Sequence, residues 1–161
     1  MKLCLLRHGD AVCGNPDAER PLSNTGVEEA QLAGAFLAAT KEIPDLICHS
    51  TLLRSRQTAV LAARKLGGED RLLECTGLCP GDSPQEFASR LHLLRAKDIL
   101  VVGHLPFLGE LASYLLSGST DTICMRFTTG TLLALECKTP VGAWALRFHA
   151  PSKLIARLLR S

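Results

Sequence analysis

The sequence predicts an α/β fold: a three-layer α/β/α sandwich with a mostly parallel central sheet and helices on both faces. Three observations predict it. Short apolar runs alternate with amphipathic helical stretches along most of the chain. The clearest run, Ile99–Val102, is charge-free and rich in β-branched residues, as a strand covered on both faces requires. Capping and helix-stopping residues fall where one pattern gives way to the next.

Lys2–Leu6 reads as the first buried strand. Thr25-Gly26-Val27-Glu28 has capping-box spacing, and Val27, Ala30, Ala33 and Leu37 continue it as a helix to about Thr40. Asp45–Ser50 is a second short strand, followed by a helix over Leu53–Leu66 that Gly67-Gly68 ends. Arg71–Glu74 is a weaker third strand. Ser83-Pro84-Gln85-Glu86 offers a capping serine, a proline at the first helical position and a returning glutamate. Phe87, Leu91 and Leu94 supply that helix's apolar face. Asp98–His104 is the central strand. The next helix has Pro106 in its first turn, Leu108, Leu111 and Leu115 inward and Gly118 just past its end.

Two extended runs follow, Thr131–Cys137 and Ala143–Phe148. In the second, Trp144, Leu146 and Phe148 alternate with Ala145 and Arg147, the period of a half-buried strand. No helical pattern separates the two runs, so at least one is expected to run antiparallel. The closing "SKLIARLLR" is basic and amphipathic, and is expected to dock on the sheet rather than on an acidic partner or a membrane. No repeat, low-complexity segment or linker interrupts the pattern, so residues 1–161 are expected to form a single domain.

Composition narrows the class. Eighteen basic residues against 16 acidic ones leave a formal charge of +2, which does not suggest a general nucleic-acid binder. No stretch approaches the roughly 20 apolar residues of a membrane span, and Leu3–Leu6 is too short for a secretory h-region. The seven cysteines are odd in number and lack CxxC spacing, which fits reduced thiols in a cytoplasm. Cys75 and Cys79, four residues apart, have no second ligand pair and read as ordinary thiols. A monomer is expected.

Function is read from where the strands end. In open parallel sheets, ligands bind beyond the carboxyl ends of the strands. The first strand ends in Arg7-His8-Gly9, the second leads through "HSTLLRSRQT" to Arg54 in the first turn of a helix, and the central strand ends in Gly103-His104. Two arginines and two histidines on one edge describe an anion pocket, and helix N-termini add N–H donors. His49, His92 and His149 read as structural or solvated, Arg56 and Arg64 as surface helix residues, and Ser50 as a helix cap.

Four segments, "LRHGDA" at 6–11, "RPLSNTG" at 20–26, "SxxxRxxQTA" from Ser50 to Ala59 and "VGHLP" at 102–106, together resemble the histidine phosphatase superfamily, in particular its short, SixA-type phosphohistidine phosphatase branch. The resemblance implies a phosphoglycerate mutase-like fold. It implies that His8 is the catalytic nucleophile, which takes the phosphoryl group and later yields it to water. It implies that Arg7, Arg54 and His104 are catalytic groups that also bind the phosphoryl oxygens. That chemistry needs no metal or other cofactor, because guanidiniums stay charged and match phosphate oxygens. Arg20 either makes a peripheral substrate-binding contact with the anion or pairs with Asp17 or Glu19.

One departure from the family pattern bears on the substrate. Larger members carry an acid after the third strand that protonates a departing alcohol. Here that stretch is "ECTGLCPGDSP", where Glu74 is too early and Asp82 adjoins a helix cap. Asp10 either serves or merely bonds its loop, so no general acid is assigned. An alkoxide leaving group benefits from such an acid by about 10²–10⁴-fold, whereas the P–N bond of phosphohistidine is labile without it. The short connection also offers little length for a lid. The expectation is therefore a protein phosphohistidine phosphatase acting on a histidine phosphotransfer domain or phosphocarrier, releasing inorganic phosphate, with no nucleic-acid or membrane partner. The alternatives are a small-molecule phosphomonoesterase of the same fold and a non-catalytic phosphoprotein-binding module.

Overall fold

A computed structural model describes residues 1–138 and 142–160. Its strands are β1 (Lys2–Arg7), β2 (Leu46–His49), β3 (Leu72–Glu74), β4 (Asp98–Gly103), β5 (Leu132–Cys137) and β6 (Trp144–Ala150). Its helices are α1 (Asn24–Ala39), α2 (Leu53–Leu66), α3 (Pro84–Arg90), α4 (Phe107–Ser117) and α5 (Ser152–Leu158). The strands form one mixed sheet in the order β3-β2-β4-β1-β5-β6. β1, β2, β3 and β4 are mutually parallel, while β5 runs antiparallel to both β1 and β6.

Alternate residues of the central strands feed two cores. Leu3, Leu5 and Val101 point to one face, where Phe87 of α3 and Phe107, Leu108 and Leu111 of α4 cover them. Leu6, Leu100 and Val102 point to the other, beneath Ala33 and Leu37 of α1, Ala59 and Ala62 of α2 and Ile155 of α5. Each fully buried leucine stabilises the fold by roughly 2 kcal/mol. The small residues of α1 and α2 let the two helices cross closely: a Cβ on Gly34 would lie 2.6 Å from the Ala62 carbonyl oxygen. Burying Ile155 docks the C-terminal basic stretch onto this layer, as expected.

Three local expectations change. The α1 cap is Ser23, whose hydroxyl accepts from the Gly26 N–H at 3.1 Å, rather than Thr25. Pro106 sits immediately before α4 instead of inside its first turn. Along β6 the strict alternation fails. Ala134 pairs with Phe148 but Leu135 with Leu146, so Arg147 is an extra residue. This bulge shifts the side chains by one position. Trp144 therefore packs on the α3/α4 core and Phe148 on the α1/α2 core, while Leu146, on the Trp144 face, is 51% exposed.

Candidate active site

Parallel pairing of β1 with β4 sets Arg7 opposite Gly103, so the next residue of each strand, His8 and His104, emerges at the same edge. Their ring centroids are 4.9 Å apart. His8 is turned by its own chain: Nδ1 lies 2.7 Å from the Gly9 carbonyl oxygen. A carbonyl only accepts, so Nδ1 carries the proton and Nε2 keeps a lone pair. Burial, joined by the charges of Arg54, Arg7 and Arg20 and opposed by the Gly9 bond, pushes the His8 pKa down to about 4. At neutral pH the ring is uncharged.

The tight loop after His8 depends on two glycines. A Cβ on Gly9 would lie 2.4 Å from the Gly26 carbonyl oxygen, and one on Gly26 would lie 1.9 Å from that of Asp10. The RHG turn thus lies directly on the entry of α1. Ser23 N–H donates to the Asp10 carbonyl and Ser23 Oγ to the Asp10 carboxylate. Glu29 of α1 ties the loop to neighbouring segments. It accepts from Asp10 N–H at 2.9 Å, Thr129 Oγ1 at 2.9 Å and Ser152 Oγ at 3.3 Å.

His104 is almost fully buried, and burial, followed by the charges of His8 and Arg54, lowers its pKa to about 3. Its Nε2 is 2.5 Å from Ser50 Oγ, and Leu52 N–H approaches the same oxygen at 3.4 Å. With Ser50 Oγ donating to Nε2, the ring proton sits on Nδ1. Among the described residues, Nδ1 is buried without a partner, as is Arg7 Nε. Arg7 is held from behind by Nη1 donating to the Phe127 carbonyl at 2.7 Å. Two buried nitrogens left unanswered beside an uncharged imidazole fit an oxyanion, since buried polar groups otherwise find partners.

Arg54 enters from the first turn of α2 and is 5% exposed. Its Nη1 donates to the Asp17 carbonyl at 2.8 Å and its Nη2 to Asp17 Oδ2 at 3.0 Å. Arg20 pairs with Asp17 Oδ1 at 2.9 Å and donates Nε to the Val12 carbonyl, so of its two expected partners it takes Asp17. The rest of the motif on α2 works on the same loops: Gln57 accepts from Leu22 N–H, and Thr58 Oγ1 accepts from Gly9 N–H at 3.1 Å. The predicted quartet of Arg7, His8, Arg54 and His104 comes together, with Arg20 one residue removed.

The family model of the histidine phosphatase superfamily (branch 1) matches residues 3–92. The chain belongs to the histidine phosphatase superfamily. Within it, the chain is 27% identical to the phosphohistidine phosphatase SixA of Escherichia coli over 139 residues, covering 84% of each protein. A structure of the protein histidine phosphatase SixA complexed with tungstate superposes with a TM-score of 0.87 at 24% identity, over 95% of this chain and 98% of that one. The α-ribazole phosphatase from Shigella flexneri shares the histidine phosphatase fold at a TM-score of 0.72 and 19% identity, covering 94% and 97%.

Two residues of this histidine phosphatase site take roles that sequence reasoning did not give them. Ser50, read as a cap, instead meets the His104 ring, while α2 starts at Leu53 behind Leu52 with no side-chain cap. Asp17, weighed only as an Arg20 partner, also clamps Arg54. Both lie in or beside the motif segments, the one signal available for them. The remaining polar residues fall as expected or nearby. His49 is buried with Nδ1 on the Ser50 carbonyl, and His149 Nε2 meets the Arg126 carbonyl. Cys75 leans on the Leu73 carbonyl and Cys79 on Thr51. Among the described residues, no three His, Cys, Asp or Glu side chains gather as a metal-binding group.

Proposed function

We propose that the protein is a phosphohistidine phosphatase that acts on a histidine of another protein, a phosphotransfer domain or phosphocarrier. The observation that carries the reading is the pair of buried nitrogens, Arg7 Nε and His104 Nδ1, that have no partner among the described residues and lie beside the neutral His8 ring. The His8 Nε2 lone pair attacks phosphorus, the P–N bond of the substrate breaks, and its electron pair returns to the departing imidazole. Water then cleaves the His8–phosphorus bond and releases inorganic phosphate. Arg7, Arg54 and His104 hold the three phosphoryl oxygens, stabilising charge where a metal would in other phosphoryl-transfer sites. Phosphorylated on Nε2, the His8 ring becomes a cation whose Nδ1–H already faces the Gly9 carbonyl.

The placement of the acids supports a leaving group that needs no proton. Asp10 accepts from the Ser23 hydroxyl at 2.6 Å, and Asp82 accepts from Cys79 N–H at 2.6 Å. Glu74 ends β3, at the outer edge of the sheet. The connection from β3 to α3 is pinned by fully buried Leu78, which supports a site without a lid from this segment. The names of the SixA relatives point the same way. The α-ribazole phosphatase likeness favours a second reading, hydrolysis of small phosphate esters by the same residues.

The test compares turnover of a phosphohistidine protein with that of sugar and glycerate phosphates, together with ³²P labelling of the enzyme. We expect preference for the phosphoprotein and a label that His8→Ala abolishes while the variant stays folded. Preference for the esters selects the second reading, and labelling that survives His8→Ala removes the nucleophile assignment.

A further inference from the structure

We propose that the carboxylate of Asp17 is the binding site for the ring N–H of the substrate phosphohistidine, and so the residue that selects phosphohistidine over phosphate esters. The inference rests on the functional reading above. Asp17 opens the short 3-10 turn Asp17–Glu19, and its side chain is 59% exposed while the Arg54 side chain that it touches is 6% exposed. The buried guanidinium therefore has the phosphoryl pocket on its inner side and a solvent-facing carboxylate at its outer end. Arg20 holds the other carboxylate oxygen, so Asp17 is fixed at the rim by two arginines. Those two guanidiniums, Arg20 first, keep its carboxyl below the usual carboxylate range. Its negative charge also reaches His104, where it opposes the fall in that ring's pKa. The carboxylate thus borders the pocket on a solvent-exposed side.

A fixed negative charge there is a poor choice for a bare phosphate ester, whose dianion it repels. A substrate that brings its own positive charge reverses the sign. Protonated phosphohistidine does so: one ring nitrogen carries the phosphoryl group and the other an N–H, and the ring is a cation. When the P–N bond breaks, the electron pair neutralises the ring, and neutral imidazole departs with its N–H still in place. No proton has to be delivered. A carboxylate that accepts from that N–H favours the protonated, reactive form, which accounts for a site whose other acids are engaged elsewhere. The same charge rejects esters, selectivity by an unfavourable contact as much as by a favourable one.

Asp17 also positions Arg54, so the test must separate the two roles. Asp17→Asn and Asp17→Ala are compared with wild type on a histidine phosphocarrier protein phosphorylated with phosphoramidate and on p-nitrophenyl phosphate, whose leaving group needs neither acid nor N–H recognition. Positioning of Arg54 affects both substrates by the same factor, and any loss of folded protein cancels in the ratio of the two kcat/KM values. The expected result is a ratio that shifts toward the ester by roughly tenfold or more, the scale of a lost charge-assisted hydrogen bond. A ratio unchanged in both variants overturns the Asp17 assignment and leaves the functional reading standing. Wild-type protein that hydrolyses the ester but not the phosphocarrier overturns both.

Discussion

At the scale of single residues, the site is a set of side chains each fixed by a group behind it. Arg7 leans on Phe127, His8 on Gly9, Arg54 on Asp17 and His104 on Ser50. Removing a front group and removing its support should differ. Arg7→Ala or Arg54→Ala is expected to cost about 3–4 kcal/mol of transition-state stabilisation, as deletion of an oxyanion donor does; steady-state kcat near wild type would remove that arginine from the mechanism. Ser50→Ala leaves His104 present but free to place its proton on Nε2. About tenfold is the expected loss in kcat, with Ser50→Thr restoring much of it, and full activity of Ser50→Ala would contradict the tautomer assignment. The front groups were legible because strand ends and glycines mark them in the sequence. Their supports were not, because a serine after a strand reads equally as a helix cap, and partners such as Phe127 act through the backbone carbonyl, which leaves no trace in side-chain identity.

At the scale of elements, the order and type of the strands and helices followed from periodicity and capping, and the exceptions have local causes. One extra residue in β6 sends Trp144 and Phe148 to opposite faces, which an alternation rule has no means to anticipate. Ser23 displaces Thr25 as the α1 cap because Asp10 engages its hydroxyl and draws the loop onto the helix entry. That junction makes a prediction of its own. Gly26→Ala forces a methyl into the Asp10 carbonyl, so the RHG turn must move off α1. Overpacking of this kind costs about 1–3 kcal/mol. We expect a lower melting temperature together with a loss of activity larger than the lost folded fraction explains. A variant with wild-type melting and kinetics would show that the turn relaxes without moving His8.

At the scale of the whole molecule, the buried imidazoles couple the site to stability. Unfolded histidines titrate near 6.5, whereas His8 and His104 hold out to about 4 and about 3 in the folded protein. Above pH 6.5 neither ring distinguishes the two states. Below it the unfolded chain takes up protons that the folded chain refuses, so stability falls as the pH drops through that window. Melting temperature measured in phosphate-free buffers from pH 7 to 4 should decline, and His104→Gln should flatten the decline; parallel curves for the two proteins would mean that His104 titrates normally. A last consequence follows from the reversed direction of β5. Its beginning, not its finish, arrives at the reacting edge, where Thr131 receives the Arg7 N–H and the Phe127 carbonyl steadies the guanidinium. Every member of the quartet is encoded before residue 105, yet the first of them is braced by chain synthesised 120 or more positions later. A fragment that stopped after α4 would own the full chemical inventory and lack the anvil against which it is set.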